Sequence, residues 1–308
     1  MAKKEVKNNK VSLEQEFARW LETAEQGDAE AQNEVGECYY DGKGVEQNFG
    51  KAFKWWKKAA DQGLAEAQKN VGWCYDVGDG VKENKKEAAK WYKKAAEQGN
   101  LKALNNLGNF YFDGEGVKEN KKEAFNCYKK AAEGGLAAAQ NNLARCYLSG
   151  EGVNENQKEA FKWCKKAAKA GDAVAQMNLG MFYENGIEVK EDKAEAFKWY
   201  MKAAEQGHAE AQYYVGMCYA NGWGCEKNDE EAFEWFLKSA EQDYADAQFK
   251  VSQCYASGFG TDMDLIQSAA WRVRAARNGH EESQTILAAS LMKAQELLNM
   301  MRRDDDDE

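Results

Sequence analysis

Asn70, Asn106, Asn142 and Asn178 stand 36 residues apart, and Glu34, Tyr214 and Lys250 hold the same phase on either side. A side-chain amide both donates and accepts, so such a ladder could hold the backbone of an extended peptide whatever its side chains. Two other readings stay open: asparagines tolerated on a solvated helix face, or asparagines bonded between neighbouring units. Catalytic chemistry has thinner support. The two histidines, His208 and His280, also stand in one phase, at a helix start where a cap belongs. Cys38, Cys74, Cys146, Cys218 and Cys254 share a phase that Phe110 and Phe182 fill elsewhere. A site that takes Cys or Phe is an apolar packing site. Equivalent thiols in successive units lie about 20 Å apart for two packed helix layers, too far for a disulfide. Cys127, Cys164 and Cys225 replace a helix tryptophan, a neighbouring aromatic and a loop valine. No C-x-x-C spacing or Cys/His cluster points to a metal, and no cofactor is expected. The Gly-x-Gly pairs Gly42/Gly44, Gly78/Gly80, Gly114/Gly116 and Gly150/Gly152 recur with no strand before them and no G-K-[ST] after them. They read as turns, not phosphate cradles. The carboxylates are plentiful, but they fall at solvent positions without a distinctive pair.

These residues are positioned by a repeat of 36 residues, best seen in LAEAQKNVGWCYDVGDGVKENKKEAAKWYKKAAEQG (Leu64–Gly99). Its copies begin at Asp28, Leu64, Asn100, Leu136, Asp172, His208 and Tyr244. Self-similarity of this period marks a solenoid. Ala65, Ala67, Val71, Gly72, Cys74 and Tyr75 recur at spacings of three and four, one face of a first helix, helix A. Gly78 and Gly80 break it, and Val81 returns the loop to the core. Asn84 starts helix B, with Glu87 three residues on as a capping box. The pair returns as Asn120/Glu123, Asn156/Glu159, Asp192/Glu195 and Asn228/Glu231, with Asn48/Lys51 the exception. Helix B buries Ala88, Trp91, Ala95 and Ala96 and ends at Gly99 in the left-handed region. Neither helix can hide its apolar stripe alone, so the repeats must stack.

The pattern A-x-A-Q-x-x-[VL]-G-x-[CF]-Y-x-x-G-x-G-V-x-x-N-x-x-x-A-F-x-W-Y-x-K-A-A-x-x-G resembles the Sel-1-like repeat, a relative of the tetratricopeptide repeat, over Asp28–Gly279. Ala137–Gly171 and Ala209–Gln242 carry it well. The resemblance implies an all-α, right-handed α/α superhelix of seven repeats that serves as an adaptor, with helix A lining a concave groove. By analogy with the tetratricopeptide pattern, positions 6, 7, 10 and 13 of each repeat face that groove. The ladder asparagines Asn70, Asn106, Asn142 and Asn178 then join Trp73, Asn105, Asn109, Phe112 and Arg145 in the first half. Met177, Met181, Tyr213, Tyr214 and Met217 continue the surface. Aromatic and methionine side chains at such positions suit an adaptable interface. Some secreted members of the family staple each repeat with its own Cys pair. This chain lacks the second Cys, which favours a reducing compartment and a cytoplasmic location. Members have also been named as penicillin-binding or β-lactamase proteins, but no S-x-x-K element with its supporting motifs stands here.

Residues 1–11 read as disordered and 12–27 as an N-terminal capping half repeat in which Phe17 and Ala24 keep phase. Seven repeats follow at 28–63, 64–99, 100–135, 136–171, 172–207, 208–243 and 244–279. A C-terminal capping helix spans 280–303, and 304–308 is an acidic tail. Leu291, Leu297, Leu298, Met300 and Met301 exceed what one repeat face covers, so the last helix is either a cap folded back or a docking element for self-association. Net charge is −10, of which Asp304–Glu308 supplies −5, leaving −5 for the body (−10 minus −5). That balance disfavours nucleic acid and anionic lipid. The stripe Lys57-Lys58, Lys93-Lys94, Lys129-Lys130 and Lys165-Lys166 is offset by flanking acids and reads as a solvated face. No run of 18 apolar residues exists, so no membrane insertion is expected, and basic, polar Met1–Lys10 is not a signal peptide. The expectation is a non-enzymatic adaptor for a protein or peptide segment. The alternative is a self-assembling scaffold that uses the C-terminal helix and the repeat ends.

Overall fold

Apolar residues spaced by three and four, a cap in front and a glycine behind produce the same short helix throughout. The computed structural model describes residues 12–306, with side chains to residue 296. The expectations placed on Met1–Val11, on the apolar run from Leu297 and on the acidic side chains after it fall outside the described residues. Within them the chain is an all-α, α/α solenoid of sixteen helices with no strand. It divides into two compact units, residues 1–156 and 157–308.

The first unit holds α1 (Leu13–Glu25), α2 (Ala29–Asp41), α3 (Phe49–Asp61), α4 (Ala65–Val77), α5 (Lys85–Glu97), α6 (Leu101–Asp113), α7 (Lys121–Glu133) and α8 (Ala137–Ser149). The second holds α9 (Gln157–Lys169), α10 (Ala173–Asn185), α11 (Lys193–Glu205), α12 (Ala209–Asn221), α13 (Asp229–Ala240), α14 (Ala245–Ser257), α15 (Leu265–Arg277) and α16 (Glu281–Asp306). From α2 on, even-numbered helices are helix A and odd-numbered ones helix B. Inside each unit every helix packs on the one before and the one after it.

The helix starts correct one detail. Asn84 accepts a hydrogen bond from the Glu87 amide at 3.2 Å, but its own N–H donates to the Tyr75 carbonyl at 2.8 Å. The reciprocal half of the capping box therefore does not form, and Glu87 pairs with Lys90 instead. This explains the apparent exception: Lys51 needs only its backbone N–H to reach Asn48, at 2.9 Å. Ser12 with Gln15 does form both halves of a box. After helix A the first loop glycine takes a left-handed φ, +86° at Gly78. The second meets the preceding helix B: a Cβ on Gly80 would lie 2.2 Å from the Phe49 carbonyl. Only glycine lets the two backbones approach that closely. Val45 and Val81 then pack against the core.

Each repeat contributes the same core. Val35, Val71, Leu143, Val215 and Val251 are fully buried, as are the helix alanines around them. Gln68 ties three helices together. Its amide donates to the Ala60 carbonyl of α3 at 3.3 Å, and its oxygen accepts from Gln98 beyond α5 at 2.8 Å. Gln32, Gln176 and Gln212 accept the same bond, from Gln62, Gln206 and Gln242, at 2.7–2.9 Å. Burying an amide is tolerated because its hydrogen-bonding groups are met.

Candidate functional site

The side chains that helix A leaves outside the core are held by rigid neighbours. In the first unit, successive helices α2, α4 and α6 and the start of α8 enclose a cleft of about 680 Å³. Asn70, Trp73, Asn105 and Asn106 line it together with Tyr40, Trp56, Glu66, Lys69 and Lys102. Trp73 stands out. At 42% exposure it is the one tryptophan among the exposed large apolar side chains, whereas Trp56 beneath it is 4% exposed. The Tyr40 hydroxyl lies within hydrogen-bonding reach of the Trp73 indole and donates to Asp79 at 3.1 Å. A smaller cleft of about 280 Å³ shares Trp73 and Asn106 and adds Asp76, Asn109, Asp113 and Glu115.

The asparagine ladder is partly bonded within the protein. Asn70 donates to Asn33 at 3.1 Å, and Asn142 donates to Asn105 at 2.9 Å. Position 7 of one repeat thus clamps position 6 of the repeat before it, so these amides spend part of their capacity inside the protein. Asn70 and Asn105 are both only 8% exposed. Asn106 and Asn109 are half-buried at the cleft wall; Asn109 accepts from the Tyr128 hydroxyl at 2.8 Å, and the Asn106 amide bonds the Tyr92 hydroxyl. The Phe112 ring carries Lys121 at 3.4 Å and the exposed Arg145 at 4.7 Å. These contacts bring the residues from Asn70 to Arg145 onto one helix-A surface of the first unit.

In the second unit Met177 is corrected outright. It is 1% exposed and belongs to the core, because the flexible thioether fills the space beside Tyr200 and Val215. Asn178 is half-buried and held by contacts of its own. Met181 and Tyr214 pack against the same core, and Tyr213 and Met217 against the next. Tyr214 stacks on Tyr200 at 5.2 Å, while Tyr213 meets Tyr214, Phe236 and Tyr244 at 5.5–5.7 Å. Burial pushes the phenols of Tyr213 and Tyr214 above their usual pKa. Both side chains are thus half-buried against the core. Met217 also borders a cleft of about 310 Å³ with Phe236, Lys250 and Phe259.

Position 3 of the repeat also faces the cleft. Glu66 and Lys102 occupy it and line the large cleft, one helical turn before positions 6 and 7. The spacing of three and four that marks the core face also extends the groove face by a turn. Burial works to raise the Glu66 carboxyl, but Lys69 and Asn100 bond its oxygens and leave its pKa below the usual value.

The lysine stripe has an internal partner. Lys58, Lys94, Lys166, Lys202 and Lys238 each sit over the tryptophan three residues earlier, at 3.7–4.1 Å, and Arg274 does the same to Trp271 at 4.5 Å. The histidines cap helices: His208 Nδ1 accepts from Ala211 N–H at 3.2 Å, and His280 Nδ1 from Ser283 N–H at 3.1 Å. All eight cysteines are free. No helix among the described residues is long and apolar enough to cross a membrane.

Comparison with known proteins follows the same repeat. A crystal structure of a protective antigen of uropathogenic Escherichia coli, c5321, displaying an SLR fold, is 32% identical with a TM-score of 0.74. The match covers 89% of this chain and 58% of that one, so this chain spans less than two thirds of that antigen. A Sel1 repeat protein from Oxalobacter formigenes is also 32% identical, with a TM-score of 0.70, over 89% of this chain and 79% of that one. No curated protein matches. Sel1 repeats are commonly protein–protein interaction modules. The family model of the Sel1 repeat matches residues 29–64, 65–100, 101–136, 137–172, 173–208, 209–244 and 245–280. These seven consecutive matches account for most of the 308 residues, and the chain belongs to the Sel1 repeat family.

Proposed function

We propose that this protein is a non-enzymatic, cytoplasmic adaptor that binds a protein or peptide segment along the helix-A face of its first unit. The observation that carries the reading is Trp73, 42% exposed on the wall of a cleft of about 680 Å³ edged by asparagine amides. A large aromatic held rigidly in a concave, partly apolar site is the usual anchor of a protein interface. Asn106 and Asn109 meet the partner's backbone, while Asn70 and Asn105 serve mainly as clamps. The second unit presents Met181, Tyr213, Tyr214 and Met217 on its own helix-A face, and neither nucleic acid nor lipid is the partner.

The test is selection from a library of random linear peptides, followed by binding of the selected peptides to wild type and to Trp73→Ala/Arg145→Ala. Both positions are exposed, so circular dichroism should stay unchanged. The double variant is expected to bind at least tenfold more weakly. Equal binding by both proteins would remove the helix-A face from consideration.

Self-association has an observation of its own. Met263, Leu265, Ile266, Leu291 and Met292 are 64–82% exposed on the last repeat and its cap. In the earlier repeats, position 20, here Met263, holds Gln47, Glu83, Glu119, Glu155, Glu191 or Lys227. A mass in solution that rises with concentration and falls in Ile266→Glu/Leu291→Glu would establish this second reading; a constant monomer mass would discard it.

A further inference from the structure

Seven of the ten tryptophans carry a lysine or arginine of this chain within 6 Å of the ring: six in the helix-B stripe, and Trp223 beneath Lys193 at 5.3 Å. The pattern follows from the ring's negative face. Trp73 departs from it. Among the described residues no lysine or arginine sits over its ring, although it is the most exposed tryptophan. The smaller of the two clefts at the ring is acidic, with no lysine or arginine in its lining. Asp76, Asp113 and Glu115 line the smaller cleft that Trp73 borders, and Glu37, Asp41 and Glu66 line the larger one together with Lys69 and Lys102. Lys85 serves Asp76 at 2.6 Å and Glu115 at 3.5 Å, Lys69 serves Glu66, and Lys43 serves Asp41. Asp113 has no ion-pair partner among the described residues, and Glu37 has only a long bond of 3.4 Å from Asn33.

From this geometry we infer that the segment bound at Trp73 presents a basic side chain, arginine or lysine, to the face of the indole with its charged head toward Asp113. The inference rests on the adaptor reading above and gives it a partner chemistry: a basic, extended polypeptide segment. Three features converge. The ring is fixed in orientation by Tyr40, which is itself held by Asp79. Trp73 is 42% exposed, so a partner side chain can reach it. The smaller cleft is lined by Asp76, Asp113 and Glu115 and by no lysine or arginine, so a cation arriving there is attracted before contact and paired after it. Arginine fits better than lysine, because its planar head can stack on the indole and still offer N–H groups to a carboxylate.

The probes are fluorescein-labelled hexa-arginine, hexa-lysine and hexa-glutamate, read by anisotropy against wild type and variants. Hexa-arginine is expected to bind and hexa-glutamate not to. Trp73→Ala should weaken hexa-arginine on the order of tenfold, and Trp73→Phe less, since the smaller ring keeps part of the attraction. Asp113→Asn should weaken it about threefold. The control is Asp61→Asn/Glu133→Gln, which removes more charge but lies at the ends of α3 and α7, away from the cleft. If the control weakens binding as much as Asp113→Asn, the attraction is that of an acidic protein in general and the inference falls. It also falls if Trp73→Ala leaves hexa-arginine binding unchanged. Library peptides that bind at the helix-A face but carry no enriched arginine or lysine would overturn the basic side chain and leave the adaptor reading intact. Peptides indifferent to Trp73→Ala/Arg145→Ala would overturn both.

Discussion

At the scale of single residues, chemistry and packing compete for the same side chains, and packing takes most of them. The cysteines show it clearly. Burial pushes the thiols of Cys74, Cys164 and Cys218 up to about 12, and those of Cys127, Cys146 and Cys254 up to about 11. The reactive species is the thiolate, so these six stay inert in the native protein at neutral pH. Cys38 and Cys225 are only partly buried, and burial also raises their thiols. Labelling with iodoacetamide at pH 7.5 should therefore modify Cys38 and Cys225 first and leave the other six unlabelled until the protein unfolds. Raising the pH should accelerate only those two before denaturation intervenes; peptide mass spectrometry reads each site. Rapid native labelling of Cys74 or Cys218 would contradict the packing described for position 11. That Cys and Phe exchange at this position made the burial legible in the sequence. The asparagine ladder was legible only as a spacing. A period of 36 residues cannot say whether an amide faces solvent or its neighbour, and the bonds Asn33–Asn70 and Asn105–Asn142 are settled by two side chains 37 residues apart.

At the scale of paired helices, the specificity lies in how helix A meets its own helix B. A Cβ on Gly108 would lie 2.6 Å from the Tyr128 ring, and the same clash recurs for Gly72 with Tyr92, Gly180 with Tyr200 and Gly216 with Phe236. The aromatic ring lies flat on the glycine. Where the sequence departs from glycine it also departs from the aromatic: Ala144 goes with Cys164, and Ser252 with Arg272. Gly108→Ala should therefore destabilise the protein by about 2 kcal/mol, well beyond any helix-propensity gain from Ala. Adding Tyr128→Cys should recover part of that loss, since it removes the ring that the new methyl strikes. Urea unfolding of the two single variants and the double variant checks the coupling. Additive losses would mean that the ring and the methyl never meet. The helix boundaries, loop glycines and stacking were readable because they repeat in every copy. The partnership of Gly108 with Tyr128 was hidden, because a small residue on an apolar face looks the same whether it makes room for a ring or merely packs. The buried glutamine of A-x-A-Q was equally opaque: its two bonds reach carbonyl and amide groups in two other helices.

At the scale of the molecule, the same locality sets how stability is distributed. The core clusters are confined to short stretches of sequence, such as Ala24–Trp91 and Ala88–Cys127 in one unit and Met177–Cys218 and Ala232–Trp271 in the other. A chain whose repeats touch only their neighbours has a stability that is approximately a sum of repeat and nearest-neighbour contributions. Damage should then stay where it is made. Gln68→Leu removes a buried donor and acceptor and two bonds, although the Ala60 carbonyl still accepts from Gly63 N–H and the Gln98 amide still donates to the Gly63 carbonyl. The cost is about 1.5–2 kcal/mol for the two lost bonds. Hydrogen exchange followed by mass spectrometry should show amides of α3, α4 and α5 exchanging roughly 10–30-fold faster, the equivalent of that loss. Amides of α11 to α13 should be unchanged. If exchange instead rose equally through both units, the chain would unfold as one cooperative body and the additive picture would be wrong. Locality also bears on binding, since the cleft at Trp73 is built from α2, α4 and α6 alone, apart from Trp56 and the start of α8. The surface offered to a partner therefore depends on the same few repeats whose interfaces Gln68 holds, and weakening them should loosen the cleft without disturbing the second unit.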